Sequence, residues 1–247
     1  MQLSFMEAAF GVEKEIDVEK AEACDACQDS GAEAGTGVET CPQYLLLDQD
    51  EYLRPGFEGA KFVMAPPPRT GTDRAALWAG LAAGEVDTVA TDHCPFFYDG
   101  TTPIIYEGEP VAIPGKELGA DDFTKIPNGL PGVGDRLPIL WTYGVGAGHL
   151  TPNQFVALTS TNPAKIFGLY PRKGAIQIGS DADILIIDPG RETKVTARKL
   201  HMKSDYSPYD GMALRGFPEI TMLRGRVIQR DGEFLGKKGE GKFLKRD

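Results

Sequence analysis

Asp92 and His93, inside Thr91-Asp92-His93-Cys94, are the neighbouring side chains in this sequence best suited to proton chemistry. A carboxylate can take up a proton and return it, and an imidazole titrates near neutrality. They follow Val86, Val89 and Ala90, a short, partly β-branched apolar run that reads as a buried strand. A carboxylate at the carboxyl end of such a strand stands where α/β enzymes present catalytic groups, because the strand fixes the backbone while the following loop opens to substrate. Position alone leaves two readings open, since an Asp there also forms turns and caps helices. A second spacing of interest is Cys24-Asp25-Ala26-Cys27, the CxxC of zinc and redox sites. No second CxxC follows and no βαβ pattern surrounds it, so it reads as chance spacing. Cys41 and Cys94 read as small apolar packing residues carrying reduced thiols.

The elements that must position Asp92 are legible on both sides of it. Thr72 is the expected N-cap of a helix running to about Ala83, with Gly84 as its stop and Leu77, Trp78 and Leu81 as its apolar face. Helix, glycine and strand together make a βα unit, which favours a parallel sheet or barrel. Upstream, Val38 to Leu47 suits a strand leading into a loop. Pro66, Pro67 and Pro68 hold the chain extended, which fits a pocket wall and a surface linker equally well. Downstream, the long Gly-, Pro- and aromatic-rich connection from Phe97 to Gly119 is placed to act as a lid. Ile126 to Gly132 crowds turn formers so closely that its N–H and C=O groups are expected to be exposed, able to read an amide or imide ring. Helices are predicted at Leu137–Tyr143, from a Thr151-Pro152-Asn153-Gln154 start, and again from Asn162-Pro163 to near Gly168. The period then changes. Residues 174–179, 182–188, 220–225 and 226–228 read as short strands, which puts a boundary near Lys173.

The chain has 247 residues and a formal net charge of −10. That balance argues against a nucleic-acid partner, which needs clustered Lys and Arg, and the basic tail from Lys237 to Arg246 reads as a solvated terminus. No apolar run approaches the roughly 18 to 20 residues that span a bilayer. The first residues lack the basic start and apolar core of a signal peptide, so a cytoplasmic location is the expectation. Residues 1–37 are acidic. Glu13–Gln28 there shows only a thin helical stripe, and nothing in the segment carries chemistry.

Several segments together resemble the dihydropyrimidinase/D-hydantoinase family of the amidohydrolase superfamily. They are Glu39-Thr40-Cys41-Pro42-Gln43-Tyr44-Leu45, the Gly56-to-Arg69 stretch, Thr91-Asp92-His93-Cys94-Pro95-Phe96, Asp122 to Gly129, Ser160 to Lys165, and Gly179-Ser180-Asp181-Ala182-Asp183. The match runs nearly continuously from about Val38 to Asp247. The resemblance implies an α/β fold, namely the C-terminal part of a (β/α)₈ barrel over residues 38–173, followed by strands of a β-sandwich over residues 174–247. It also implies a two-metal centre, usually zinc, hydrolysis of a C–N bond in a small cyclic amide such as dihydrouracil or a hydantoin, and a homotetramer. Asp92 matches the family's metal-binding carboxylate that shuttles a proton from the nucleophilic hydroxide to the leaving nitrogen. Substrate contacts come from main-chain groups at the position of Asn128 and at a serine position occupied here by Ala65.

The departures are as informative. The loop after Phe96 looks longer than the family pattern. The family's other ligands are an HxH pair, a carboxylated Lys and two further His, and they match nothing here: the three histidines are His93, His149 and His201, none in such a motif. A single Asp cannot hold two zinc ions. The expectation is therefore a truncated polypeptide that is inactive by itself. With about two of eight barrel strands it would carry open edges that invite association. Two other functions compete: a non-catalytic assembly protein of the same branch, against which Asp92 in its motif argues, and an allantoinase or dihydroorotase, against which Pro127-Asn128-Gly129 argues.

Overall fold

The computed structural model describes residues 37–245 apart from residues 101, 102, 107, 114 and 203. The helix expected at Glu13–Gln28 and the Cys24/Cys27 spacing lie outside the described residues.

Strands β1 (Glu39–Thr40) and β2 (Thr88–Val89) pair in parallel, with Glu39 opposite Thr88 and Thr40 opposite Val89. Parallel neighbours need a crossover, and the intervening chain supplies it with α1 (Pro42–Leu46) and α2 (Gly71–Ala83), joined by the 3₁₀ turns Gln49–Leu53 and Glu58–Phe62. The strand expected across Val38–Leu47 is thus only two residues long. Pro42 occupies the first turn of α1, where its fixed φ suits a helix and its missing N–H would have had no partner. In α2 the cap is Thr70 rather than Thr72. The Thr70 side chain accepts from the Asp73 N–H while the Asp73 side chain accepts from the Thr70 N–H, a reciprocal capping box. Gly84 ends α2 at φ 79°, in the left-handed conformation expected of it. Trp78 Nε1 donates to the Leu45 carbonyl at 3.0 Å and locks α2 onto α1.

The connection after Phe97 is not structureless. It contains an antiparallel hairpin, β3 (Ile104–Tyr106) with β4 (Glu109–Val111), and its base is tied down. The Lys116 N–H donates to Phe97 O at 2.7 Å, and the Tyr98 and Asp99 N–H groups donate to the Asp205 carboxylate at 2.8 Å each.

Helix α3 (Arg136–Ile139) runs on as a π-helix through Leu140–Val145. Helix α4 (Pro152–Val156) opens with the expected capping box between Thr151 and Gln154. It then continues through a π-helical segment, Ala157–Thr161, into α5 (Asn162–Ile166). Asn162-Pro163 therefore does not begin a separate helix: Thr161 is itself helical at φ −69°, ψ −47°. Proline lacks the ladder N–H, and a widened turn just ahead of it is where a helix absorbs that defect.

Beyond Lys173, four strands form one antiparallel sheet in the order β5 (Leu185–Lys194), β6 (Ala213–Leu223), β7 (Arg226–Arg230), β8 (Glu233–Phe234). The β6–β7 hairpin turns on Arg224 and Gly225, both at positive φ. Residues 174–179, expected as a strand, are bends and turns between Gly174 and Gly179, both at positive φ. One buried cluster joins Phe62, Met64, Leu130 and Ile139 to Val195, Tyr209 and Leu214; a second joins Leu45, Trp78, Leu81 and Val89 to Leu140, Phe155 and Leu158. The described residues thus form a mixed α/β structure without a closed barrel. No helix among them is long and apolar enough to cross a membrane.

Candidate active site

Three chain segments meet beyond the carboxyl end of β2. The first is the strand exit, Thr91 to Cys94. The second is Val63 to Pro66, and the third is Pro127 to Leu130. Cys94 N–H donates to Leu130 O at 3.0 Å, and Gly129 N–H donates to Val63 O at 3.1 Å. Gly129 has φ 150°, and a Cβ there would lie 2.5 Å from Cys94 O, so only glycine lets the first and third segments approach. Tyr44 Oη donates to Pro66 O at 3.1 Å, pinning the second segment to α1.

Asp92 is exposed in this junction, three residues past β2, and its carboxylate makes no hydrogen bond or ion pair among the described residues. Its backbone is left-handed at φ 46°, a conformation Asp tolerates better than most residues yet still at a cost, and one that clusters at functional sites. Its charge reaches two neighbours, the buried Cys41 and the half-buried Tyr44. Burial pushes the Cys41 thiol up to about 12, with Glu39 and Asp92 adding to the effect. Burial likewise pushes the Tyr44 phenol up to about 12, with Cys41 and Asp92 adding, so Tyr44 remains a hydrogen-bond donor. Arg136 Nη1 donates to Val89 O at 2.8 Å and ties α3 to the end of β2.

His93 plays a different part from Asp92. Its Nδ1 accepts from the Gly132 and Val133 N–H groups at 3.0 and 3.2 Å, and burial lowers its pKa, so the ring is a neutral anchor for the 130–133 turn. The other two histidines are engaged elsewhere, His149 stacked on Trp78 at 4.7 Å and His201 with Nε2 2.9 Å from Gly232 O. Cys94, expected to be a buried packing residue, is exposed, with Sγ 3.9 Å from Asn128 O. Its side chain lies against Gly129, where a Cβ would come within 2.8 Å of both Cys94 Cβ and Sγ.

The main-chain groups of the 126–132 stretch are mostly consumed by the protein itself, contrary to the expectation that they stand exposed. Leu130 O and Gly129 N are paired as above, and Gly132 O accepts from Asp135 and Arg136. Pro127 O and Gly129 O accept from Lys116 Nζ at 2.6 and 2.9 Å, and the same ammonium donates to Val63 O at 2.8 Å. What is left is specific: the N–H groups of Asn128 and Ala65 donate to no protein group among the described residues, and both residues are exposed. Sequence reasoning singled out Ala65, Asp92 and Asn128, which the fold brings to one junction. It missed Lys116, whose only sequence signal is a lysine in an otherwise turn-forming stretch.

A metal centre needs several protein ligands for each ion. Among the described residues no three His, Cys, Asp or Glu side chains gather where an ion could be held, so a two-metal centre does not fit these residues alone.

The amidohydrolase family model matches residues 63–228. The D-hydantoinase of Geobacillus stearothermophilus is 45% identical over 208 residues, which is 84% of this chain and 41% of that protein. The D-hydantoinase of Rhizobium radiobacter is 43% identical over 209 residues, covering 85% and 42%. Among solved structures, the dihydropyrimidinase from Brevibacillus agri is 44% identical with a TM-score of 0.76, over 84% of this chain and 42% of that one. The chain spans about two fifths of the length of the relatives it matches. Such neighbours imply a TIM-barrel-type fold and a family that depends on a metal.

Proposed function

The chain belongs to the amidohydrolase family, and from that premise we propose that it serves in the hydrolytic opening of a cyclic amide, a dihydropyrimidine or hydantoin ring. The observation that carries this reading is the junction itself. Among the described residues, the Asp92 carboxylate has no protein partner, and it stands beside two segments whose Ala65 and Asn128 main-chain N–H groups are likewise unpaired. A ring carbonyl finds donors in those N–H groups, and the missing hydroxyl at Ala65 is no obstacle where the backbone makes the contact. Asp92 takes a proton from the attacking water as the C–O bond forms and returns it to the ring nitrogen as the C–N bond breaks.

We take zinc as the metal of the activity, with Asp92 as the ligand contributed by the described residues. We read residues 38–173 as part of the barrel, with β1 and β2 as two of its strands, and residues 174–247 as strands of the flanking sandwich. An isolated carboxylate activates water weakly compared with a metal-bound hydroxide, so the 247-residue polypeptide assayed by itself is expected to be inactive.

The test is ligand-observed NMR of the purified polypeptide with dihydrouracil and hydantoin, using allantoin and dihydroorotate as competitors, alongside metal analysis and a ring-opening assay. The expected result is binding of the first two rings, fewer than two zinc equivalents and no turnover. Preference for allantoin or dihydroorotate, or no ring bound at all, would sink the substrate assignment; two zinc ions with turnover would sink the reading of the ligand set.

A further inference from the structure

Lys116 has no exposed surface, yet no carboxylate pairs with it among the described residues. Burying an unpaired ammonium is expensive unless every N–H finds an acceptor. Here the match is one to one: an ammonium has three donors, and Val63 O, Pro127 O and Gly129 O lie at 2.8, 2.6 and 2.9 Å. Burial pushes its pKa down to about 8, which leaves it charged at neutral pH. A neutral amine would turn a lone pair toward one of the carbonyls.

The consequence lies in the peptide planes. In a trans peptide the C=O and the following N–H point in opposite directions. The Pro127–Asn128 bond is trans, so drawing Pro127 O inward onto Lys116 aims the Asn128 N–H outward. The Gly129 carbonyl is fixed from the other side of Asn128, and Val63 is held two residues ahead of Ala65. We infer that Lys116 is a positioning residue: by gathering three carbonyls from two segments onto one ammonium, it presents the Asn128 and Ala65 main-chain groups to a cyclic amide. The presentation to substrate rests on the function proposed above; the clamp itself does not.

The experiment uses the full 247-residue chain and amide hydrogen exchange. Replacing Lys116→Met keeps the apolar stem and removes the donors. Exchange at the hydrogen-bonded N–H groups of Val63 and Gly129, one on each segment, should speed up by about tenfold or more, as loss of charged hydrogen bonds predicts, while α2 keeps its protection. Dihydrouracil and hydantoin binding should weaken by a similar factor. In Lys116→Ala, added ethylammonium should restore protection, whereas tetramethylammonium, which has no N–H, should not. If Lys116→Met loosens α2 as well, refolding of Lys116→Ala by ethylammonium but not tetramethylammonium supports the clamp, and equal behaviour with both overturns it. Unchanged exchange at both segments also overturns it. A wild-type chain that binds neither ring overturns the cyclic-amide reading, and the exchange data then decide the clamp alone. Wild-type binding that Lys116→Met leaves equally tight overturns the positioning role.

Discussion

Two regions of the molecule are built on opposite principles. At the junction beyond β2, the segments are held to one another by directional hydrogen bonds: Lys116 gives three N–H groups to three carbonyls, and His93 Nδ1 takes two backbone N–H groups. Between the α4–α5 helix and β5, by contrast, lies an apolar groove of about 660 Å³ whose walls include Phe155, Val156, Phe167, Ile176 and Ile187. Ile176 and Ile178 on the adjoining turn are 89% and 105% exposed. Directional bonds specify a unique arrangement of backbone at the junction, whereas the groove owes its shape to apolar surfaces that would pack equally well in other ways. Precision is therefore expected at the first and adaptability at the second.

The sharpest test of the comparison is Asp135, a charge buried on the junction side. Ser207 Oγ donates to its Oδ2 at 2.9 Å, while Oδ1 is buried without a partner among the described residues. Burial raises its pKa from 3.8 to about 7. The folded state thus binds a proton that the unfolded state has already released. This contribution to stability is fully present below about pH 4 and is lost as pH rises through about 7, a change on the order of 4 kcal/mol. Urea unfolding of the wild type against Asp135→Asn between pH 4 and 8 should show that slope in the first and a flatter profile in the second. A parallel pair of profiles would mean that the junction does not hold its charges dry.

A smaller effect probes the groove floor. Phe155 is buried and meets Trp141 edge-on at 5.3 Å, so Phe155→Ala should destabilise by about 3 kcal/mol in the same assay. The smallest effect is at the groove rim. Ile178→Ser should change stability by less than about 0.5 kcal/mol, since nothing is unburied. It should nonetheless reduce self-association by sedimentation, because exposed apolar surface is what drives it. A large loss of stability from Ile178→Ser would erase the distinction between the two regions.

What could be read in advance was local. The Thr151–Gln154 capping box and the Gly84 stop hold because their partners lie within four residues, and the Asp92 motif was legible as a strand exit for the same reason. The cap of α2 was displaced by two residues, since Thr70 and Thr72 differ only in whether an acidic partner follows at the third position. Residues 174–179 carry an apolar pattern that fits a strand, but a strand also needs a partner to pair with, and the pattern does not say whether one is near.

By itself the sequence determined the family, the placement of a carboxylate at the end of a buried strand, and the shortage of metal-ligating side chains around it. These depend on residue type and order alone. Only the tertiary structure decided that Lys116 gathers carbonyls 53, 11 and 13 residues away, that His93 is an anchor, and that Cys94 faces outward. Hydrogen bonds between distant segments leave no periodic trace in a chain, because what selects them is the direction of a peptide plane after folding.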